Sequence, residues 1–97
     1  MKPAGQKFPW YVYIVRCNDG TLYTGITTDL EGRMVSHNSG KGGAKYTKAR
    51  RPVVLVYAEG AESRSEASKR EYRIKQMPLT AKWGMVAGWK RCPGPYS

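Results

Sequence analysis

Tyr11-Val12-Tyr13-Ile14-Val15-Arg16 and Thr21-Leu22-Tyr23-Thr24-Gly25-Ile26, joined through Cys17 and Asn18-Asp19-Gly20, decide how this chain folds. Both runs are rich in β-branched and aromatic residues, which suit a pleated surface, and an Asp-Gly pair between two such runs is a strong hairpin signal. The loop length sets the register. A two-residue turn at Asp19-Gly20 pairs Arg16 with Tyr23 and sends the rings of Tyr13 and Tyr23 to opposite faces, because side chains alternate along a strand. A three-residue loop with Gly20 in the left-handed conformation pairs Val15 with Tyr23 instead, and both rings then share one face as diagonal neighbours.

Beyond the hairpin, Thr28 followed by Glu31 is a capping-box pattern, and Leu30, Arg33, Met34 and His37 follow at the spacing of one helical stripe. That helix is expected to stop at Gly40, with Gly32 inside it costing about 1 kcal/mol relative to Ala. Residues 41–51 read as a Gly-rich basic loop, and Pro52 opens a third strand over 53–58. Ser63 and Glu66 form a second capping box, which predicts a helix from about 64 to 77, ended by Pro78, with Ala67, Arg70, Glu71, Ile74 and Met77 on its inward stripe. A last short helix is expected over about 80–86, interrupted by Gly84 and Gly88, before a loose tail. The fold class is therefore α+β: a central three-stranded antiparallel sheet flanked by helices.

The chain's 97 residues hold one domain, with its core over about 10–88 and the tail over 89–97. No apolar run is longer than that over 53–58, which falls far short of the ~18 residues that cross a bilayer. Residues 1–10 carry two prolines, a Gly and a Gln where a signal peptide places its apolar stretch, so the expected location is cytoplasmic. Cys17 and Cys92 lie far apart and share the chain with a single histidine, too few ligands for structural zinc.

Charge narrows the partner. Seventeen Lys and Arg oppose seven Asp and Glu, giving a net charge of +10 and an isoelectric point near 9.9. The excess is clustered: Lys41, Lys45, Lys48, Arg50 and Arg51 occur within 41–51 with no acid among them, and Tyr46 is the aromatic residue there. A polyanion is the natural partner, with these cations on phosphate and Tyr46 on a base or a phosphate.

Arg33 and His37 on the first helix and Glu71 on the later one fall on faces that the pattern turns inward, and buried charge needs a partner or a purpose. Each has an ordinary reading. Glu71 can pair with Lys75 one turn on, Arg33 can lie on the surface, His37 can pack or cap, and Tyr13 and Tyr23 can be plain strand aromatics.

Taken in order, these residues resemble the GIY-YIG nuclease superfamily. Tyr11-Val12-Tyr13 stands where that family has its first triplet and Tyr23-Thr24-Gly25 where it has its second; Arg33 follows ten residues after Tyr23, then His37, then a distal helical Glu71. The segment Lys41-Gly-Gly-Ala-Lys45-Tyr46-Thr47 is similar to that of the short, single-domain bacterial branch. The resemblance implies a divalent-metal-dependent nuclease in which Tyr13, Tyr23, Arg33, His37 and Glu71 form the catalytic set. It also implies that both tyrosines share a face, which selects the three-residue loop. Glu71 is then the one protein ligand of Mg²⁺ or Mn²⁺, Tyr13 or Tyr23 takes a proton from the attacking water, and Arg33 stabilises charge on the phosphate. His37 orients a tyrosine or joins the proton transfer. The substrate class is nucleic acid, DNA before RNA, in repair or processing of nucleic-acid structures, with room for a protein partner to supply specificity. Two competitors are an idle nucleic-acid-binding module using the same basic face and a protein-interaction adaptor, whose apolar patch would have to be built around Trp83 and Trp89.

Overall fold

In the computed structural model, which describes residues 8–39 and 45–89, the chain forms β1 (Trp10–Arg16), β2 (Leu22–Thr27), α1 (Leu30–Ser39), α2 (Lys45–Lys48), β3 (Val54–Ala61), α3 (Arg64–Gln76) and α4 (Leu79–Trp89). The sheet order is β2-β1-β3, and both pairings are antiparallel. The α+β architecture read from the sequence is the one observed.

The three-residue loop sets the hairpin. Val15 pairs with Tyr23 and Tyr13 with Gly25, Gly20 has φ 86°, and its N–H bonds the carbonyl of Cys17 at 2.9 Å. Tyr13 and Tyr23 therefore share a face. β1 is the central strand, and every residue from Tyr11 to Val15 is buried. Its odd positions, Tyr11, Tyr13 and Val15, pack with Leu30 and Met34 of α1, while Val12 and Ile14 meet Ala67 and Ile74 of α3 and Val86 of α4. Helices thus cover both faces, and the apolar run needs no polar alternation because neither side meets water.

Several sequence expectations shift. The α1 cap is Asp29, one residue beyond Thr28: its Oδ1 accepts the Gly32 N–H at 3.1 Å, and the missing side chain of Gly32 leaves room for that carboxylate. α3 starts as expected, with Ser63 Oγ accepting the Glu66 N–H at 3.1 Å, and it ends one residue earlier, at Gln76. On its inward stripe Ala67 and Ile74 are buried, whereas Arg70 turns to Glu59 of β3 at 2.9 Å.

β3 runs to Ala61 rather than Ala58 because Gly60 lies opposite Tyr11 and the Phe8 ring fills the space its side chain would take. A shift between Ile14 and Val15 leaves Val56 as an extra residue in β3, so Val56 and Tyr57 both join the α3 side. The basic segment contains the short helix α2, and α4 continues through Gly84 and Gly88 to Trp89, held on the sheet by buried Val86. Residues 90–97 of the expected tail lie outside the described residues.

Candidate functional site

Strand pairing brings Tyr13 across β2. Its partner Gly25 offers no side chain, and the phenol lies in that gap: a Cβ on Gly25 would stand 2.5 Å from the Tyr13 hydroxyl oxygen. α1 then delivers two groups to that hydroxyl. Arg33 donates from Nε at 3.2 Å, and His37 Nε2 lies at 2.9 Å. The other ring nitrogen of His37, Nδ1, is 2.7 Å from Thr47 Oγ1 on α2. Tyr13, His37 and Thr47 are fully buried.

Tyr23 is only partly buried and sets its ring edge-on to His37, with centroids 5.7 Å apart. α3 packs its apolar stripe on the opposite face, yet it runs beside the edge strand β2 and places Lys75 Nζ 5.8 Å from the centre of the Tyr23 ring. Lys75 also pairs with Glu71 at 3.2 Å, and Glu71 keeps 22% of its side chain exposed. The negative charge of Glu71 reaches Tyr13, where it opposes ionisation of the phenol. Tyr13, Tyr23, Arg33 and His37 therefore meet at one place, and Glu71 of α3 joins them through Lys75, which stands beside the Tyr23 ring. The pairing of Glu71 with Lys75 and its proximity to the tyrosines hold together.

Burial dominates the electrostatics. It pushes the Tyr13 phenol above its ordinary value, against the hydrogen bond and charge of Arg33. It pushes His37 down to about 4, with the Arg33 charge acting in the same direction. At neutral pH the phenol carries its proton and the imidazole is uncharged.

The expected strand-holding residues are placed unevenly. Lys48 and Arg51 are exposed, and Arg51 Nε donates to the Lys48 carbonyl at 2.8 Å. Arg50 instead clamps the hairpin loop: its Nε pairs with Asp19 Oδ2 at 3.0 Å and its carbonyl accepts the Asn18 N–H at 2.9 Å. Lys45 and Tyr46 sit on α2, with their side chains outside the description, and Lys41 lies outside the described residues. Trp83 and Trp89 line a cavity of about 320 Å³ with Arg16 and Val54 to Val56, next to α4 and β3 rather than at the tyrosines.

Two contributors escaped sequence reading. Thr47 closes the chain of hydrogen bonds to His37, and its one sequence signal was its place at the end of the Lys41 to Thr47 segment. Asn38 ties α1 to the start of β3, accepting the Val53 N–H at 2.7 Å and donating to the Val53 carbonyl at 3.1 Å.

Among the described residues no three or more His, Cys, Asp and Glu gather as a metal-binding group. No helix among them is long and apolar enough to cross a membrane.

A sequence model of a family described as the GIY-YIG catalytic domain matches residues 9–82. A UPF0213 protein of Staphylococcus haemolyticus is 59% identical over 76 residues, covering 78% of this chain and 92% of that one. A second UPF0213 protein, from Desulfotalea psychrophila, is 56% identical over 85 residues, covering 88% and 77%. The solution NMR structure of a UPF0213 protein from Bacillus halodurans superposes with a TM-score of 0.52 at 45% identity, covering 80% of this chain and 82% of that one.

Proposed function

The chain belongs to the GIY-YIG catalytic domain family, and from that membership we propose that it is a divalent-metal-dependent endonuclease acting on DNA, as a cytoplasmic enzyme of repair or nucleic-acid processing. The observation that carries this reading is the convergence of Arg33 and His37 on the Tyr13 hydroxyl, with Glu71 paired to the Lys75 that stands beside Tyr23. A module that only binds nucleic acid gains nothing from a carboxylate on a face that meets phosphates.

Glu71 offers one hard, partly exposed oxygen donor group with Lys75 as its counter-ion. That donor set fits Mg²⁺ or Mn²⁺ held largely by water and substrate phosphate rather than by a protein cage. When bound, the ion supplies Lewis-acid polarisation of the phosphoryl group. The chain's own residues do the rest. Arg33 presents its remaining donors to the phosphate and offsets charge that develops there. Tyr23, as phenolate, takes the proton from the attacking water: its ring is partly exposed, whereas Tyr13 is fully buried. Lys75 Nζ stands 5.8 Å from the centre of that ring, a cation beside the proposed base. Lys48 and Arg51 hold the strand, with Lys41, Lys45 and Tyr46 assigned the same task.

Incubation with plasmid, flap and single-stranded DNA, and with matched RNA, in Mg²⁺ or in chelator tests the proposal. Metal-dependent cleavage of at least one DNA substrate is expected. Binding without cleavage on every substrate would establish the idle module instead.

A further inference from the structure

We propose that Thr47 is a positioning residue: its hydroxyl accepts the Nδ1 proton of His37, fixes that ring in one tautomer, and through Tyr13 aims the Arg33 guanidinium. The tautomer follows from hydrogen-bond geometry alone; its consequence for cleavage rests on the nuclease reading.

The polarity of the chain is read from its outer end. Arg33 has donors and no acceptor, so in the 3.2 Å contact the Tyr13 oxygen accepts. Tyr13 is fully buried, and its own hydroxyl proton therefore needs an acceptor. His37 Nε2, at 2.9 Å, is the group that lies there. Nε2 must then be bare, and a neutral imidazole carries its one proton on Nδ1, which is 2.7 Å from Thr47 Oγ1. Burial keeps the imidazole uncharged at neutral pH. The sequence Arg33 to Tyr13 to His37 to Thr47 thus runs with one direction of donation. The opposite tautomer turns Nε2 into a donor toward Tyr13 and strands the buried phenol proton without a partner.

Thr47 stands beside exposed Lys48 on α2, within the basic segment. That segment therefore reaches the chemistry through a buried neutral hydroxyl as well as through its cations. Arg33 is the chain's outer end and its member closest to solvent. A guanidinium held by a fixed acceptor is pre-aimed at a phosphate rather than searching for it.

The chain has one histidine, so its ring is read without ambiguity in long-range ¹H–¹⁵N NMR spectra of untagged protein. Wild type is expected to show the Nδ1–H tautomer, Thr47→Val to mix in Nε2–H because the Nδ1 proton has then lost its acceptor, and Thr47→Ser to restore the single form. In cleavage assays Thr47→Val should lower kcat by roughly 10²-fold with KM nearly unchanged, and Thr47→Ser should recover most of the rate. An Nε2–H ring in the wild type overturns the proposal, whether or not the variants fold. So does a Thr47→Val spectrum with no Nε2–H population. A mixed tautomer population with wild-type kcat overturns the positioning role. Absence of cleavage by wild type overturns the nuclease reading and the catalytic half of the proposal with it, while the spectra decide the tautomer separately.

Discussion

Gly25 and Tyr13 face each other across β1 and β2, and the phenol occupies the place a side chain on Gly25 would take, 2.5 Å from its hydroxyl oxygen. The small residue of the second triplet thereby fixes where the hydroxyl of the first triplet ends. Gly25→Ala must push the phenol away, and burial of Tyr13 leaves it little room to yield. We expect a loss of about 1 to 3 kcal/mol of stability, as for overpacking in general, together with a large loss of cleavage. Urea unfolding and single-turnover assays on the same preparation check both. A variant of wild-type stability and activity would show that the contact is soft.

The two tyrosines are predicted to fail differently. Tyr13→Phe removes a buried hydroxyl that Arg33 and His37 both use, so it should lower stability by roughly 1 to 3 kcal/mol and cleavage with it. Tyr23→Phe alters a partly exposed ring, so it should cost less stability than Tyr13→Phe and yet abolish cleavage. Melting curves beside rate measurements separate the roles, and the assignment of Tyr23 fails if its Phe variant cleaves normally.

Stability should depend on the single histidine between pH 4 and 6.5. Folding depresses the His37 pKa from its ordinary 6.5 to about 4, so in this window the unfolded chain binds more protons than the folded one. Stability is then fully present above 6.5 and falls as the pH drops toward 4, by on the order of 3 kcal/mol. Denaturant titrations at several pH values, wild type beside His37→Gln, measure the slope. A wild-type curve as flat as the variant's contradicts the buried, neutral imidazole.

Much of the fold was legible because it rests on local rules. Asn18-Asp19-Gly20 marked the hairpin but left two registers open, of which the resemblance selected the observed one, and Ser63 marked the start of α3. The misreadings came from contacts distant in sequence. β3 outruns its expected end at 58 where Phe8 lies over Gly60, and the four residues of α2, too short for a periodic signal, are tied to His37 by one buried hydroxyl. Asp29 outcompeted Thr28 as a cap because Gly32 admits its carboxylate. At the candidate site, spacing alone allowed Glu71 to be an ordinary partner of Lys75, and that pair is present. Only the path of α3 beside β2 brings its charge to Tyr13. The pairing of Arg50 with Asp19 was equally unreadable, since it depends on how the basic segment returns to the hairpin.

That pairing sorts the cations. Nucleic-acid affinity should fall steeply with salt, and Lys48→Ala or Arg51→Ala should each flatten the log–log slope by about one phosphate's worth, near 0.9 on duplex DNA. Arg50→Ala should mainly loosen the hairpin loop and change the slope less. Binding isotherms across a salt series check this; affinity that ignores salt removes the basic segment from the contact surface.

The most direct measurement of the account is Glu71→Gln in metal-controlled buffer, against wild type purified in parallel. The substitution keeps the size and much of the hydrogen-bonding capacity of the side chain and removes its charge. Cleavage and divalent-metal affinity should collapse, while metal-free DNA binding persists or tightens because a negative charge has left a surface that faces phosphates. If Glu71 served only its pair with Lys75, a few tenths of a kcal/mol would be lost and nothing else. Cleavage by the Gln variant at the wild-type rate is the result that would contradict the account.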